Sequence, residues 1–206
     1  MQRYDIINFL IEKNSYKTYL EIGINHGNNY ERIKCSSKVG VEPDRSKYKN
    51  NTVFYMTSDE YFEKYCNQKF DIIFIDGLHL ENQVDKDVEN SLKFLSDNGT
   101  IVVHDCNPPT IYHAREDYRN FSTPAKKSWN GTVWRSIVKL RTSRDDLEIY
   151  VIDTDWGCGI IRKNNSGISN KFNDFSTEKC LDWELFNNKR ASILNLIQVS
   201  DFVKKY

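Results

Sequence analysis

The stretch "YLEIGINHG", Tyr19 to Gly27, decides the interpretation of the whole chain. Its first half is a run of aliphatic and aromatic residues, which is typical of a buried strand. Gly23 follows this run directly, and Gly27 comes shortly after it. Glycines that follow a buried strand indicate that the backbone must pass close to another group. The stretch therefore predicts a strand that ends in a tight turn.

Strands and helices alternate on both sides of this turn. Seven segments have the pattern of strands: "YLEIG", "KVGVEP", "TVFYM", "FDIIFIDG", "GTIVVHDC", "LEIYVID" and "GCGIIRK". Helical spacing is found over residues 3–12, 28–34, 57–66, 81–95 and 132–141 and in most of the tail. This alternation predicts an α/β fold with a Rossmann-like, doubly wound, mostly parallel seven-stranded sheet. Helices cover both faces, and the last two strands form an antiparallel C-terminal hairpin.

The chain is expected to fold as a single domain over residues 1–206, with an N-terminal helix over 1–17 and a C-terminal helix over 178–206. Lys plus Arg and Asp plus Glu both number 29, and this balance argues against a nucleic-acid partner. The charged N-terminus predicts neither a signal peptide nor a membrane span. The five cysteines contain no CxxC pair, which predicts reduced thiols and a cytoplasmic protein.

An acidic residue, Glu42, closes the second predicted strand, where a carboxylate can accept hydrogen bonds from ribose hydroxyls. A dinucleotide-binding loop would carry three glycines, but Asn25 and Asn28 stand at the second and third positions. Their side chains would crowd a pyrophosphate, which favours an adenosine ligand without phosphates, such as S-adenosylmethionine. A nucleotide-binding Rossmann module or NAD-dependent oxidoreductase stays an alternative.

The ordered strand-end motifs "EIGINHG", "VGVEPD", "FDIIFIDGLH", "GTIVVHDC" and "YVIDTDWGCGII" resemble a class I S-adenosylmethionine-dependent methyltransferase. The resemblance runs from about Tyr19 to Arg162. It is strongest to the small-molecule branch with sugar and natural-product O-methyltransferases. It implies O-methylation of a small polar acceptor, such as a sugar or nucleotide-linked sugar in surface-polysaccharide or natural-product biosynthesis. An RNA or protein methyltransferase is a further alternative.

The same resemblance implies a set of cofactor-binding residues. Glu21, Gly23 and Gly27 would frame the methionine part, with Asn25 where Gly is commoner. Glu42 would hold the ribose, and Met56, Ser58 and Asp59 would lie near the adenine. Asp76, at the end of the fourth strand, is also expected to contact the cofactor.

Four polar residues close the two central strands: Asp76 and His79 after the fourth, His104 and Asp105 at the end of the fifth. Because the carboxyl ends of parallel strands share one edge, these groups should meet in one crevice, although alternation predicts that either His104 or Asp105 points away. Resemblance to catechol-type O-methyltransferases implies that Asp76 and Asp105 hold Mg²⁺, with Mn²⁺ or Ca²⁺ as alternatives, and that His79 is the general base. Cys106 departs from that pattern, so a metal-free mechanism with His79 or His104 as base stays open.

Residues 107–131 show no period and are interpreted as a lid over the acceptor. The aromatic and basic residues of this lid would suit a sugar carrying phosphate. Trp156, in a later turn, could form one wall of the same pocket. The candidate acceptor-binding residues are Tyr112, Arg115, Lys126, Lys127, Trp129 and Trp156. The apolar side of the C-terminal helix could pack on the sheet or on a second subunit, which allows for a homodimer.

Overall fold

The computed structural model describes all residues, 1–206, and contains one mixed sheet of eight strands. The strands are β1 (Thr18–Ile22), β2 (Ser37–Val41), β3 (Val53–Phe54), β4 (Phe70–Ile75), β5 (Leu95–Val103), β6 (Leu147–Ile152), β7 (Cys158–Lys163) and β8 (Leu196–Ile197). Their order across the sheet is β3-β2-β1-β4-β5-β7-β6-β8. Strands β1 to β5 are parallel, and β7 runs antiparallel to both β5 and β6.

The predicted α/β class and its closing hairpin are confirmed, with one more strand than the seven expected. The extra strand, β8, has two residues and pairs in parallel with β6. Two residues are too few to show a periodic pattern, so the sequence carried no signal for it.

Seven helices accompany the sheet: α1 (Arg3–Asn14), α2 (Ser58–Lys64), α3 (Glu81–Phe94), α4 (Val133–Ser143), α5 (Thr177–Cys180), α6 (Trp183–Ile193) and α7 (Val199–Lys204). Thr57 caps α2 by accepting a hydrogen bond from the Glu60 amide, as its position predicts. Residues 28–34, expected to be helical, form only a 3₁₀ turn at Tyr30–Arg32. None of the helices is both long and apolar enough to cross a membrane.

The single helix expected over residues 178–206 is divided into α5, α6, β8 and α7. The side chain of Asp182 accepts a hydrogen bond from the Leu185 amide and so begins a new helix inside the segment. This break lets the chain return to the sheet edge as β8 before it ends in α7.

Both faces of the sheet are buried, as the continuous apolar run of β4 predicts. Ile73 and Ile75 belong to the core cluster under α3, α4 and α6, whereas Ile72 and Phe74 belong to the cluster under α1 and α7. The five cysteines are all free. In the pairing register, Ile22 of β1 lies beside Ile75 of β4, and Ile75 lies beside Val103 of β5. The polar residues that follow these strands therefore leave the sheet at the same level.

Candidate functional site

A cavity of about 880 Å³ opens at the carboxyl ends of the central strands. Most residues predicted for cofactor binding and catalysis line it: Glu21, Gly23, Asn25, Glu42, Ser58, Asp76, His79, His104 and Asp105. Gly27, Met56 and Asp59 were predicted at the cofactor as well, but they lie outside this lining. The cavity extends from the β1 turn to the lid, so it is continuous between the two predicted subsites.

The turn after β1 depends on Gly23, which has a φ of +86°. A Cβ at this position would lie 2.2 Å from the Asp76 carbonyl oxygen, so the glycine lets the β1 and β4 turns touch. Gly27 differs from its expected role, because its missing side chain makes room for the ring of Tyr48 and not for a ligand. The groups that these two glycines approach closely are thus largely other parts of the protein.

Glu21 is buried at the end of β1, where it accepts hydrogen bonds from Tyr19 and from Asn29 Nδ2, the latter at 2.9 Å. Burial raises the pKa of Glu21 to about 8, and the two hydrogen bonds only partly oppose this rise. The side chain therefore carries a proton at neutral pH and presents a neutral acid to the cavity.

Glu42 is held by two backbone amides, one on each carboxylate oxygen. Asn25 N donates to Oε2 at 2.8 Å, and Asp44 N donates to Oε1 at 2.9 Å. Asn25 has a φ of +51°, so the turn that aims its amide at Glu42 lies in the left-handed region that asparagine tolerates. The carboxylate is thereby fixed at the cavity wall, where it keeps lone pairs for a hydroxylated ligand.

Sequence reasoning missed two polar residues of α3 that line the cavity, Gln83 and Asp87. Asp87 accepts hydrogen bonds from Ser58 Oγ at 2.6 Å and from Gln83 Nε2 at 3.1 Å. The available signal was an acid on the same helical stripe as the apolar residues Val84 and Val88.

Two carboxylates and two imidazoles meet on the opposite side of the cavity. His79 Nε2 lies 3.2 Å from Asp76 Oδ1, and His79 Nδ1 lies 3.1 Å from Asp105 Oδ2. His104 Nδ1 lies 3.2 Å from the same two carboxylate oxygens. All four predicted residues are therefore brought together.

The expectation that either His104 or Asp105 points away is wrong. Asp105 has a φ of +63°, which breaks the strand alternation and turns its side chain back to the crevice. Asn130 Nδ2 then donates to Asp105 Oδ1 at 2.8 Å and fixes the carboxylate. Backbone dihedrals of this kind are set by tertiary contacts, so the sequence pattern could not reveal this one.

The charges in this cluster stabilise one another. Burial opposes ionisation of Asp76, but His104 and His79 outweigh it and hold the pKa of that carboxyl well below its usual range. Burial likewise disfavours the imidazolium forms, yet Asp76 and Asp105 raise the pKa of His79 and, still further, that of His104. His104 is nearly inaccessible, with 4% of its side chain exposed, whereas 19% of the His79 side chain reaches the cavity.

Arg3 and Asp155 complete the cluster, and sequence reasoning missed both. The Arg3 amide donates to Asp155 Oδ2 at 2.8 Å, and Arg3 Nη1 lies 3.8 Å from Asp76 Oδ2. Asp155 Oδ1 lies 3.6 Å from His104 Nε2. Arg3 opens α1 and Asp155 lies in the β6–β7 turn, so only the folded chain places them beside His104.

The cluster has the donor set of a divalent-cation site. Ligand atoms of Asp76, His79 and Asp105 all lie within 4.8 Å of one another, and His79 Nδ1 is buried without a hydrogen-bond partner. Two carboxylates and an imidazole suit cations such as Mg²⁺ or Mn²⁺. Cys106 contributes nothing, because its thiol is buried and donates to the Val103 carbonyl.

The lid, residues 107–131, contributes aromatic side chains to the cavity. Trp129 and Tyr118 line it, as does Trp156 from the β6–β7 turn. The basic candidates are placed differently: Arg115 donates to the carbonyls of Tyr112, Lys126 and Ser128 within the lid. Tyr112, Arg115, Lys126 and Lys127 are all absent from the cavity wall.

Residues 20–106 match a family model described as a methyltransferase domain. The match begins in β1 and ends just after Asp105, so it contains the glycine turn, Glu42 and the acid–imidazole cluster. Among curated proteins, no sequence gives a significant match.

Solved structures of methyltransferases share the fold. A putative caffeoyl-CoA O-methyltransferase from Staphylococcus aureus aligns with a TM-score of 0.58 at 18% identity, covering 78% of this chain and 82% of the other. The O-methyltransferase from Bacillus cereus in complex with SAH gives 0.56 at 15% identity, covering 79% and 80%. TomG from Streptomyces achromogenes, an O-methyltransferase solved with SAM and involved in tomaymycin synthesis, gives 0.55 at 14%, covering 78% and 79%.

The family match over residues 20–106 and the shared fold both support the predicted class, a class I S-adenosylmethionine-dependent methyltransferase. The glycine turn after β1 and the acid–imidazole cluster both lie at the carboxyl ends of the central strands.

Proposed function

We propose that the protein transfers a methyl group from S-adenosylmethionine to a hydroxyl oxygen of a small polar acceptor. The observation that carries this proposal is one continuous cavity with Glu42 and the β1 turn at one end and the acid–imidazole cluster at the other. The cofactor supplies a methyl group activated on a sulfonium sulfur. The protein must then hold the acceptor oxygen in line and remove its proton.

His79 is the proposed general base. Its ring is the more accessible of the two imidazoles, and its two nitrogens lie 3.2 Å from Asp76 Oδ1 and 3.1 Å from Asp105 Oδ2. His104 is enclosed by Asp76, Asp105, Asp155 and Arg3, so we assign it the role of positioning the two carboxylates. Of the two histidines that the sequence left open as the base, these contacts favour His79.

Asp76 and Asp105 are the proposed ligands of a divalent cation, with the His79 ring beside them. A cation bound there would lower the pKa of an acceptor hydroxyl and fix its position. The donor set favours Mg²⁺ or Mn²⁺, and removal of metal tests this part separately from cofactor binding.

The acceptor is proposed to be a hydroxylated ring such as a sugar or sugar derivative. Tyr118, Trp129 and Trp156 give the cavity aromatic walls, on which an apolar ring face can stack, while the cluster offers polar groups at its edge. Phosphate recognition by Lys126 or Lys127 finds no support in their positions. The sugar identity, and a place in polysaccharide or natural-product biosynthesis, stay proposals.

Two further expectations are proposals as well. The five free cysteines support a reducing, cytoplasmic environment. A homodimer through the C-terminal segment is checked directly by sedimentation velocity over a range of protein concentrations.

The test begins with calorimetric titration of S-adenosylhomocysteine into the purified chain, for which we expect one site. Methyl transfer to a panel of sugars, nucleotide sugars and phenols is then measured with Mg²⁺ and with EDTA. Absence of cofactor binding at millimolar ligand would overturn the proposal. Undiminished turnover in EDTA would exclude only the metal ion from the proposed mechanism.

A further inference from the structure

The side chain of Gln83, in the first turns of α3, has a fixed orientation at the cavity wall. Its Nε2 lies 3.0 Å from Asp59 Oδ1, 3.1 Å from Asp87 Oδ1 and 3.2 Å from Ser58 Oγ. Two of these three neighbours are carboxylate oxygens, which only accept hydrogen bonds. The opposite rotation would point the amide oxygen at two carboxylates, so the NH₂ group must face them.

This orientation leaves Gln83 Oε1 as the free end of the amide. No protein group donates a hydrogen bond to it, and Gln83 lines the cavity together with its neighbour Ser58 and with Thr57. A ligand at this end of the cavity therefore meets an oxygen that can accept a hydrogen bond but cannot donate one.

Asp87 is the residue that holds this arrangement in place. It is buried, with 1% exposed, and its Oδ1 accepts from both Ser58 and Gln83, while its Oδ2 has no hydrogen-bond partner. Burying a carboxylate in this way costs stability, and burial raises its pKa to about 6. An acid kept in such surroundings, one helical turn from Gln83, is better explained by a role in the site than by packing.

We propose that Gln83 reads the base of the bound nucleoside, accepting a hydrogen bond from the 6-amino group of adenine, and that Asp87 is its positioning residue. The proposal rests on the proposed S-adenosylmethionine site and adds a determinant of its base specificity. A 6-oxo purine would bring a carbonyl oxygen against Gln83 Oε1. It would lose the hydrogen bond and leave two acceptors facing each other.

The test compares S-adenosylhomocysteine with S-inosylhomocysteine by calorimetry on the full chain. The two differ in the 6-amino or 6-oxo group and in the neighbouring N1, which accepts a hydrogen bond in the first and carries a hydrogen in the second. We expect the native protein to bind the adenosine compound at least about tenfold more tightly. Gln83→Met keeps the length and packing of the side chain but removes the acceptor, and should bring the two affinities within about threefold. Asn82→Ala, at an exposed position of the same turn, is the control and should keep the native ratio.

Asp87→Asn tests the positioning role, because an amide at 87 both donates and accepts and so releases Gln83 to rotate. The ratio should fall in this variant, a change that a merely structural residue would not cause. A native ratio near one, or a ratio unchanged by Gln83→Met, overturns the inference and leaves the methyltransferase proposal intact. If the native protein binds neither compound, the proposed function fails and this inference fails with it.

Discussion

The indole of Trp129 lies flat against the imidazole of His79, with ring centroids 5.0 Å apart and planes inclined by 13°. Trp129 Nε1 donates to the Arg115 carbonyl at 2.6 Å, and the Arg115 guanidinium in turn donates to four other carbonyls of the lid. Hydrogen bonds within the lid therefore hold Trp129 in place, and the stacked indole in turn fixes the ring plane of His79, the proposed base.

Replacing Trp129 by Ala should lower kcat by about tenfold or more, because His79 would lose its stacking partner and a small misplacement of a base is costly. Trp129→Phe should retain part of the activity, since a smaller ring still stacks. Initial rates at saturating cofactor provide the measurement. The control is Phe121→Ala, which removes an exposed lid aromatic outside the cavity wall. Equal losses in both variants would contradict the assigned role.

His79→Ala should reduce kcat by about 10²- to 10⁴-fold while S-adenosylhomocysteine binds with nearly native affinity. The reason is that His79 lies at the end of the cavity proposed for the acceptor, whereas Glu42 and the β1 turn lie at the end proposed for the cofactor. Single-turnover rates and calorimetry measure the two properties separately. A parallel loss of cofactor affinity would show that His79 shapes the whole site, and native turnover would remove it from the mechanism.

The positions of the main site residues could be predicted because they depend on topology alone. Parallel strands end at one edge, so Asp76, His79, His104 and Asp105 had to lie near one another once the strand order was assigned. The prediction that Glu42, at the end of the second strand, lies at the same edge of the sheet followed from the same rule. These predictions needed no knowledge of side-chain contacts.

The rest depends on contacts between distant segments, which a strand-and-helix pattern does not encode. Arg3 reaches the cluster only because α1 packs under the sheet beside the β6–β7 turn. The absence of a side chain at Gly27 is explained by the ring of Tyr48 beside it. In the lid, the Arg115 guanidinium is occupied by a backbone carbonyl of the lid itself. The same limitation explains why Gln83 and Asp87 were not singled out.

Stability should depend on pH through Glu21. Its pKa is about 8 in the folded protein and 4.5 when unperturbed, so between these values the folded state holds a proton that the unfolded state has lost. The free energy of unfolding should therefore fall as pH rises from about 4.5 to about 8, by an amount on the order of 5 kcal/mol from this group.

Glu21→Gln removes this titration while keeping the shape of the side chain. The difference in unfolding free energy between variant and native protein, from urea denaturation at several pH values, should move in favour of the variant as pH rises. Glu63→Gln, at an exposed position of α2, is the control for loss of one carboxylate. A difference that stays constant across this pH range for Glu21→Gln would show that Glu21 is ionised in the native state.

Gly131 ends the lid at a φ of +64°, and a Cβ there would lie 2.0 Å from the His79 carbonyl oxygen. That carbonyl also accepts a hydrogen bond from the Thr132 amide at 2.8 Å, so the end of the lid contacts the backbone of His79, the proposed base, directly. Gly167 offers a matched control, since its φ is +68° but nothing lies within 4 Å of the added atom.

Both Gly→Ala variants incur the dihedral penalty of about 1–2 kcal/mol, which thermal or urea unfolding measures. Gly131→Ala must in addition displace the His79 backbone, so its total cost should be greater by about 1–3 kcal/mol. Its kcat should fall as well, because the base moves with its backbone. Gly167→Ala should keep native kcat. If the two variants lost the same stability and both kept activity, the contact between Gly131 and His79 would not be what positions the base.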